Sequence, residues 1–228
     1  MSLKTWKKRI SLRKKPWPPR IVIKPLRRVF LRLPYEVVLP ELPAEWIYYA
    51  EMHEKYMQMA FASQLRRLGM FLNEKLLDVR HTFTGFKSAN LLNKIMSDPT
   101  LNTLIVTKEM DVLALTESKK LLGFEHKSRK GLIAGDYGFD DAERYYFYGI
   151  EYVYVVHREI NDRFHKQMLE HIKSKHRHLG YIIYSLKKLK ILKTAELNSL
   201  ILSNRDVAKR GKFIKEHFEY AGGVKGPF

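Results

Sequence analysis

Five of the nine histidines lie between His157 and His178, and clustered imidazoles suggest a metal site. Two histidines on one helix bind the same ion when they are three or four residues apart, because that spacing puts both rings on one face. The successive gaps here are eight, six, five and two residues. We therefore predict no metal ligands and no cofactor, and we expect His171, His176 and His178 to face solvent or RNA.

A cluster of acidic residues precedes the histidines and comprises Asp136, Asp140, Asp141 and Glu143. Carboxylates of this kind could hold magnesium in a nuclease. The surrounding sequence, however, offers no nucleophile, no base with a clear partner and no second carboxylate group at a repeated spacing. A helix N-terminus favours acidic residues through its dipole, which accounts for the cluster without catalysis. The prediction is that the chain is not an enzyme.

The same region contains a glycine-rich loop over residues 126–141, in which Lys127, Arg129 and Lys130 could receive a phosphate. It lacks the spacing of the nucleotide-binding phosphate loop. Cysteine is absent, which excludes disulfides, cysteine-ligated zinc and thiol nucleophiles. The sequence therefore predicts no small-molecule substrate.

The clearest local signal is a basic turn over residues 170–180, followed by further lysines. Cations and imidazoles on a tight turn between two helices can enter an RNA groove and contact phosphates and 2′-hydroxyls. A merely solvated helix face is the alternative. The predicted RNA-binding residues of this region are Gly149, His171, Lys173, Lys175, His176, Arg177, His178, Gly180, Lys187, Lys188 and Lys190.

Charge is distributed unevenly along the 228 residues, whose net charge is +18. Residues 1–32 contain twelve basic and no acidic residues, residues 33–156 have a net charge of −3, and residues 157–228 have a net charge of +9. Such an excess indicates a polyanionic partner, either nucleic acid or an anionic membrane surface. No apolar run is long enough to cross a bilayer, so we expect no membrane insertion.

The segment 1–43 holds seven of the nine prolines and two of the three tryptophans. Proline at this density favours an extended path, and interleaved cations and indoles suit RNA. An arginine-rich, acid-free start also resembles an organellar targeting sequence. The predicted RNA-binding residues of this tail are Lys7, Lys8, Arg9, Arg13, Lys14, Lys15, Trp17, Arg20, Arg27, Arg28 and Arg32.

Hydrophobic periodicity predicts a mostly α-helical chain, a helical bundle with a long extended basic N-terminal tail and a helical middle extension. We divide it into the tail 1–43, a protein-contacting extension 44–140 and a basic RNA-binding bundle 141–228. The spacing predicts helices over 44–80, 88–96, 109–122, 181–192, 194–202 and 207–220, and one long helix from 141 onward that is interrupted at Gly180. The stretch 145–163 taken alone is also compatible with a strand.

Residues 148–192 resemble the bacterial and organellar form of the small-ribosomal-subunit protein numbered fifteen. Its glutamate matches Glu151, its turn matches His171, Lys173 and His176, and its glycine matches Gly180. Its last helix falls on Lys187, Lys188, Lys190, Ile191 and Leu192. Departures include Val153 for a glutamine, Ser174 for an aspartate and a glycine displaced by one place at Gly149. The resemblance implies a small helical bundle that binds a junction in ribosomal RNA.

Together these features predict a structural constituent of the small subunit of a mitochondrial ribosome, located in the matrix. Its expected partners are ribosomal RNA and neighbouring ribosomal proteins. The alternative is an accessory subunit of an organellar membrane complex, such as a respiratory or ATP synthase assembly, with the tail on anionic lipid or protein. An RNA-processing enzyme is a more distant alternative, for which magnesium-dependent turnover would be the sign.

Overall fold

A computed structural model describes residues 33–82, 88–104 and 110–221 of the chain. In this part of the chain a mixed, curled sheet of eight strands forms the centre of the molecule. The strands are β1 (Tyr35–Val38), β2 (Met70–Phe71), β3 (Glu74–His81), β4 (Val112–Thr116), β5 (Leu121–Lys127), β6 (Tyr152–Arg158), β7 (Gly180–Tyr184) and β8 (Lys188–Lys193).

The order of strands across the sheet is β1-β8-β7-β6-β5-β4-β3-β2. Strands β5, β6 and β7 are parallel to one another, and the other neighbouring pairs are antiparallel. Parallel neighbours need crossover connections, and here helices make them. The carboxyl ends of β5, β6 and β7 therefore share one edge of the sheet.

Helices cover both faces of the sheet. Met57, Phe61 and Leu65 of α2 lie in one apolar core with Phe124 of β5. Tyr145 of α6 and Ile172 of α7 lie in the other core. The helices are α1 (Ala44–Met52), α2 (Glu54–Leu68), α3 (Ala89–Ser97), α4 (Pro99–Asn102), α5 (Arg129–Ile133), α6 (Phe139–Phe147), α7 (Asp162–Lys175), α8 (Leu200–Ser203) and α9 (Arg205–Glu216).

The prediction of a mostly helical bundle is wrong, and the central strands show why. The β6 segment YVYVVHR is buried from Val153 to His157, on both faces of the sheet. A strand that is covered on both sides reads as a continuous apolar run without alternation, which periodicity cannot separate from a buried helix. This segment forms a strand because it is buried between two helical layers, and that burial is a property of the tertiary structure.

Strands occupy part or all of three predicted helices for related reasons. The helix predicted over 44–80 ends at Gly69, whose φ of 69° lies in the left-handed region, and β2 and β3 follow. The helix over 109–122 is replaced by β4, a turn and the start of β5. The helix over 181–192 is replaced by the β7–β8 hairpin, in which residues 188–191 (KLKI) alternate charged and apolar side chains with the period of a strand.

Two of the predicted helices are confirmed. Helix α3 ends at Ser97, directly before Asp98-Pro99, and α9 covers most of the segment predicted over 207–220. The helix predicted over 194–202 is wrong in extent, since α8 comprises only Leu200–Ser203. The strand β1 belongs to the segment 1–43 and pairs with β8.

Candidate active site

The site begins with two acidic residues on adjacent strands. Asp111 directly precedes β4, and the antiparallel register that pairs Val112 with Phe124 places Asp111 opposite Glu125. Residues opposite each other in a sheet share a face. The backbone N–H of His126 donates to Oδ2 of Asp111 over 2.7 Å. The two carboxyl groups are therefore brought together by the pairing of β4 with β5.

Tyr145 of α6 connects these two residues. Its hydroxyl donates to Oε2 of Glu125 over 2.6 Å and accepts from the Asp111 backbone N–H over 2.7 Å. The ring lies against β5 where Gly123 has no side chain, and a Cβ at Gly123 would lie 2.5 Å from Tyr145 Cδ2. The close approach of α6 to β5 thus holds the hydroxyl between the two residues.

Burial changes the acidity of both carboxyl groups. It raises the pKa of Glu125 to about 7, although the Tyr145 hydroxyl and Lys127 oppose the change. The pKa of Asp111 is raised well above its usual range, first by desolvation and then by the charges of Glu125 and Glu54. Asp111 is partly exposed as a residue, while its neighbours desolvate the carboxyl group. Two adjacent carboxyls that resist ionisation are typical of a site that needs a cation.

Lys127 lies on the same face as Glu125, two residues further along β5. Its ammonium is 3.2 Å from Glu125 Oε1 and 3.1 Å from carboxylate oxygens of Asp136 and Asp141. Burial alone would lower the pKa of Lys127, but Glu125, Asp136 and Asp141 together raise it. The side chain is only 9% exposed and remains protonated beside these three acids.

A third carboxylate approaches from the other helical layer. Glu54 is the first residue of α2, and its Oε2 accepts the backbone N–H of Ser128 over 2.7 Å. Ser128 directly follows β5. The charge of Glu54 is close enough to raise the pKa of Asp111. The start of α2 and the end of β5 therefore face the same edge of the sheet.

Across the described ranges, no group of three or more histidine, cysteine or acidic side chains is arranged to hold a metal ion on its own. Magnesium, however, is commonly held by one or two carboxylates together with water and substrate phosphate oxygens. Asp111 and Glu125 meet that requirement, with Glu54 as a neighbour. They would be the protein ligands of a divalent cation that is shared between protein and substrate.

The sequence prediction missed these residues because it assigned their strands to other elements. Asp111 fell in a predicted helix, and Lys127 fell in a predicted loop. Two members of the acidic cluster 136–143 lie beside the site, since Asp136 and Asp141 contact Lys127. The available signal was the pair Glu125-x-Lys127 at strand spacing, preceded by Asp111 at the start of another apolar run.

The tail residues predicted to bind RNA lie outside the described residues. They are Lys7, Lys8, Arg9, Arg13, Lys14, Lys15, Trp17, Arg20, Arg27, Arg28 and Arg32.

The predicted basic turn joins α7 to a strand rather than to a second helix. His176 ends α7 and its Nδ1 lies 2.6 Å from Glu143 Oε1, while His178 lies 3.5 Å from the same oxygen. The ring of His171 stacks on Phe139 at a centroid distance of 5.2 Å. Lys173 pairs with Glu170 on α7, and Lys175 and Arg177 are exposed. The histidines are thus joined to α6 instead of forming a free cationic face.

The predicted lysine face of a helix is corrected to a turn and a strand. Lys187 lies in the turn between β7 and β8, and Lys188 and Lys190 lie on one face of β8. Lys188 pairs with Glu36 of β1 over 2.9 Å. Two of the three lysines therefore belong to a sheet near its β1 edge.

The two glycines among the predicted RNA-binding residues have structural surroundings. Gly149 has φ of 80°, and a Cβ there would lie 2.5 Å from backbone atoms of Val207 and Gly211 in α9. Gly180 begins β7 and is buried against the Tyr154 ring. Neither position adjoins the Asp111–Glu125 pair in the sheet register.

Two of the clustered histidines form a buried network. The Tyr181 hydroxyl lies 3.1 Å from His157 Nδ1 and 2.8 Å from His165 Nδ1, and the other ring nitrogen of His157 contacts the Tyr137 carbonyl oxygen. Burial lowers the pKa of both histidines to about 4, so both stay neutral near pH 7. They connect β6, α7 and β7.

Comparison of the chain with models of known protein families, with curated proteins and with solved structures finds no match. Among the described helices, none has the length and apolar character that a membrane span requires.

Proposed function

We propose that this protein is a divalent-metal-dependent nuclease that hydrolyses phosphodiester bonds. The observation that carries the proposal is the adjacent, largely desolvated pair Asp111 and Glu125, with the protonated ammonium of Lys127 beside it. A pair of carboxyls is costly to ionise at such a site unless a cation accompanies it. A cation, two acids and an ammonium at one sheet edge suit chemistry on a phosphate.

Asp111 and Glu125 would supply carboxylate oxygens to the metal, and the charge of Glu54 would add to the negative potential around it. The ion would polarise a phosphoryl oxygen and lower the pKa of a bound water. Tyr145 holds the Glu125 carboxylate by its hydroxyl, so this acid has a defined orientation before substrate binds. Preorganisation of this kind reduces the rearrangement that catalysis requires.

Lys127 acts as a fixed positive charge. Because its pKa is raised, Lys127 keeps its proton and does not act as the base that deprotonates water. Its ammonium is suited to stabilise the charge that develops on the phosphoryl oxygens. The oxygen of a water molecule forms a bond to phosphorus, and the bond from phosphorus to one nucleoside oxygen breaks. The proton of the attacking water passes to solvent, and the leaving oxygen takes a proton from solvent.

The net charge of +18 supports a polyanionic substrate. Positive charge raises the association rate with nucleic acid and contributes affinity that does not depend on sequence. The twelve basic residues of segment 1–32 contribute two thirds of that net charge. Nucleic acid is therefore the substrate class that the charge favours.

The test is a cleavage assay with single- and double-stranded DNA and RNA, in magnesium or manganese and in EDTA. We expect cleavage that requires the metal and falls at least about 100-fold in Asp111→Asn, Glu125→Gln and Lys127→Ala, the size of loss typical when one stabilising group is removed. Glu219→Gln is the matched control, because Glu219 is an exposed acid outside the site. Cleavage that persists in Asp111→Asn would contradict the proposal.

A structural role on ribosomal RNA in the mitochondrial small subunit is the second candidate, and the same positive charge favours it. It predicts co-sedimentation with small-subunit RNA on a sucrose gradient, lost after RNase treatment. The membrane-complex alternative predicts migration that RNase does not change. Neither of these roles uses the Asp111–Glu125 pair, so the cleavage assay separates them from the nuclease.

A further inference from the structure

We propose that α1 and the start of α2 form a stacking platform for unpaired bases, so that the substrate is bound as a single strand beside the site. This inference rests on the proposed nuclease function for the chemistry, but binding to the platform is measured separately. Its basis is a cluster of aromatic rings, exposed at Tyr48, Tyr49 and His53, on helices next to the carboxyl ends of β5 and β6.

The rings follow one another along the two helices. Tyr48 and Tyr49 have centroids 5.6 Å apart, and Tyr49 lies 5.4 Å from Tyr56. Tyr56 is 6.0 Å from His53 and 6.4 Å from Trp46. Tyr48 is 63% exposed and Tyr49 is 47% exposed. Such a series of rings is open to further stacking from solvent.

A break between the two helices separates Tyr48 and Tyr49 of α1 from the core-facing side of α2. His53 has extended backbone with φ of −136° and ψ of 131°, which ends α1 and begins α2. Helix α2 buries Met57 and Phe61, whereas Ala50 is the buried residue of α1. The aromatic residues of α1 therefore do not continue the buried face of α2, and their exposure is a property of the fold.

The platform lies next to the candidate active site. Glu51 is three residues from Tyr48 on α1, and it lines a cavity of about 290 Å³ together with Ser128, Arg129 and Arg158. Ser128 follows β5 and contacts Glu54, the third carboxylate of the site. A strand of nucleic acid that lies on Tyr48 therefore passes close to the edge that holds Glu125 and Lys127.

Two arginines and two glutamates line this cavity, and the arginines are the groups that would contact a phosphate backbone. Arg158 Nη1 is buried without a hydrogen-bond partner among the described residues, although its Nη2 lies 3.6 Å from Glu51. Arg129 and Lys130 begin α5 and are exposed. Aromatic rings beside arginines are the usual means of binding single-stranded nucleic acid, since rings stack on bases and cations track the phosphates.

The experiment measures binding in EDTA, where cleavage cannot occur, with a fluorescent single-stranded oligonucleotide and the duplex of the same sequence. The variants are Tyr48→Ala, Tyr49→Ala and the double substitution. Base stacking on a ring predicts that each weakens single-strand binding about 5- to 150-fold, while duplex binding changes by less than about twofold. Tyr48→Phe and Tyr49→Phe keep the ring and should bind like the wild type.

Tyr220→Ala is the matched control, because Tyr220 is also exposed but lies outside the platform. Equal single-strand binding by the wild type and the double variant would overturn the inference, as would no single-strand binding at all or equal losses on both substrates. A change confined to self-association in light scattering would also overturn it. Ring-dependent single-strand binding without metal-dependent cleavage would support the platform and overturn the nuclease.

Discussion

At the scale of single residues, the most informative feature is the acidity of Glu125. Its pKa in the folded protein is about 7, above the ordinary value of 4.5, because burial opposes its charge. Below pH 4.5 this carboxyl group is neutral in both the folded and the unfolded state, so its burial costs no ionisation energy. As the pH rises from 4.5 through 7, its effect is to lower the stability of the folded state, because the unfolded chain can ionise at less cost.

We therefore predict a difference between the wild type and Glu125→Gln, which lacks the titrating group. Without divalent metal, the free energy of unfolding of the wild type should fall by about 2 to 4 kcal/mol relative to that of Glu125→Gln between pH 5 and pH 8. The comparison is needed because burial lowers the pKa of His157 and His165 to about 4, which acts in the opposite direction in both proteins. Urea denaturation at a series of pH values measures the difference, with Glu219→Gln as the control. Parallel pH profiles of the wild type and Glu125→Gln would refute the prediction.

A second prediction at this scale concerns the metal. If Asp111 and Glu125 bind magnesium, the ion binds only the folded state and stabilises it by about 2.7 kcal/mol when its concentration is a hundred times the Kd. At pH 8, magnesium should raise the melting temperature of the wild type and leave Asp111→Asn nearly unchanged.

Calcium supplies a second probe of the same carboxylates, since it also prefers oxygen ligands. Lys127→Ala should keep the stabilisation by either ion, because the lysine does not ligate it. An equal rise of the melting temperature in wild type and Asp111→Asn would mean that the ions bind elsewhere.

At the scale of elements, the packing can be tested at the close contact between α9 and the turn that precedes β6. Gly149 in that turn has φ of 80°, and the backbone of α9 leaves no room for a Cβ. Gly149→Ala should destabilise the protein by about 2 kcal/mol or more, through backbone strain and through displacement of α9.

Gly135→Ala is the matched control. Gly135 has a similar φ of 84°, but nothing lies within 4 Å of the Cβ that would be added. Its cost should be limited to the backbone strain, about 1 kcal/mol. Chemical denaturation of the two variants compares them directly, and equal losses would show that crowding against α9 contributes nothing.

The positions of the elements also determine which side chains reach the site. Asp111 and Glu125 come together through the β4–β5 register, Tyr145 through the approach of α6 to Gly123, and Glu54 through the start of α2. Four separate segments of the chain contribute. Because the β4 region was predicted as a helix, the sequence alone could not place Asp111, which directly precedes β4, beside Glu125.

At the scale of the whole molecule, the asymmetric charge predicts how nucleic acid binds. Each neutralised phosphate lowers the logarithm of the binding constant by about 0.7 to 0.9 per tenfold increase in salt. Deletion of residues 1–32 removes twelve positive charges and no acidic residue. The shortened chain should bind more weakly and show a smaller salt slope, measured by fluorescence anisotropy at several salt concentrations.

The control for this prediction is Lys212→Ala, a single substitution outside segment 1–32. It removes one exposed cation of α9 that faces Glu216. It should change the slope by no more than about one unit. An unchanged slope after deletion of the segment would show that the phosphates contact other parts of the chain.

Several properties of this protein follow from the sequence by itself. Its charge distribution indicates a polyanionic partner, and its lack of cysteine excludes thiol chemistry. The amphipathic patterns and the Asp98-Pro99 stop located α3 and most of α9. The two helix predictions succeed because they depend on contacts within one turn of the chain, whereas the polyanionic partner stays a prediction.

Only the tertiary structure decided that the protein is built on a mixed sheet and that Asp111 lies opposite Glu125. The buried strand β6 has the same continuous apolar pattern as a buried helix, and only the layers on both of its faces distinguish the two. The two acids are 14 residues apart in sequence, and strand pairing brings them together. Register between strands is a long-range property, because each strand requires its partner before it has a face to share.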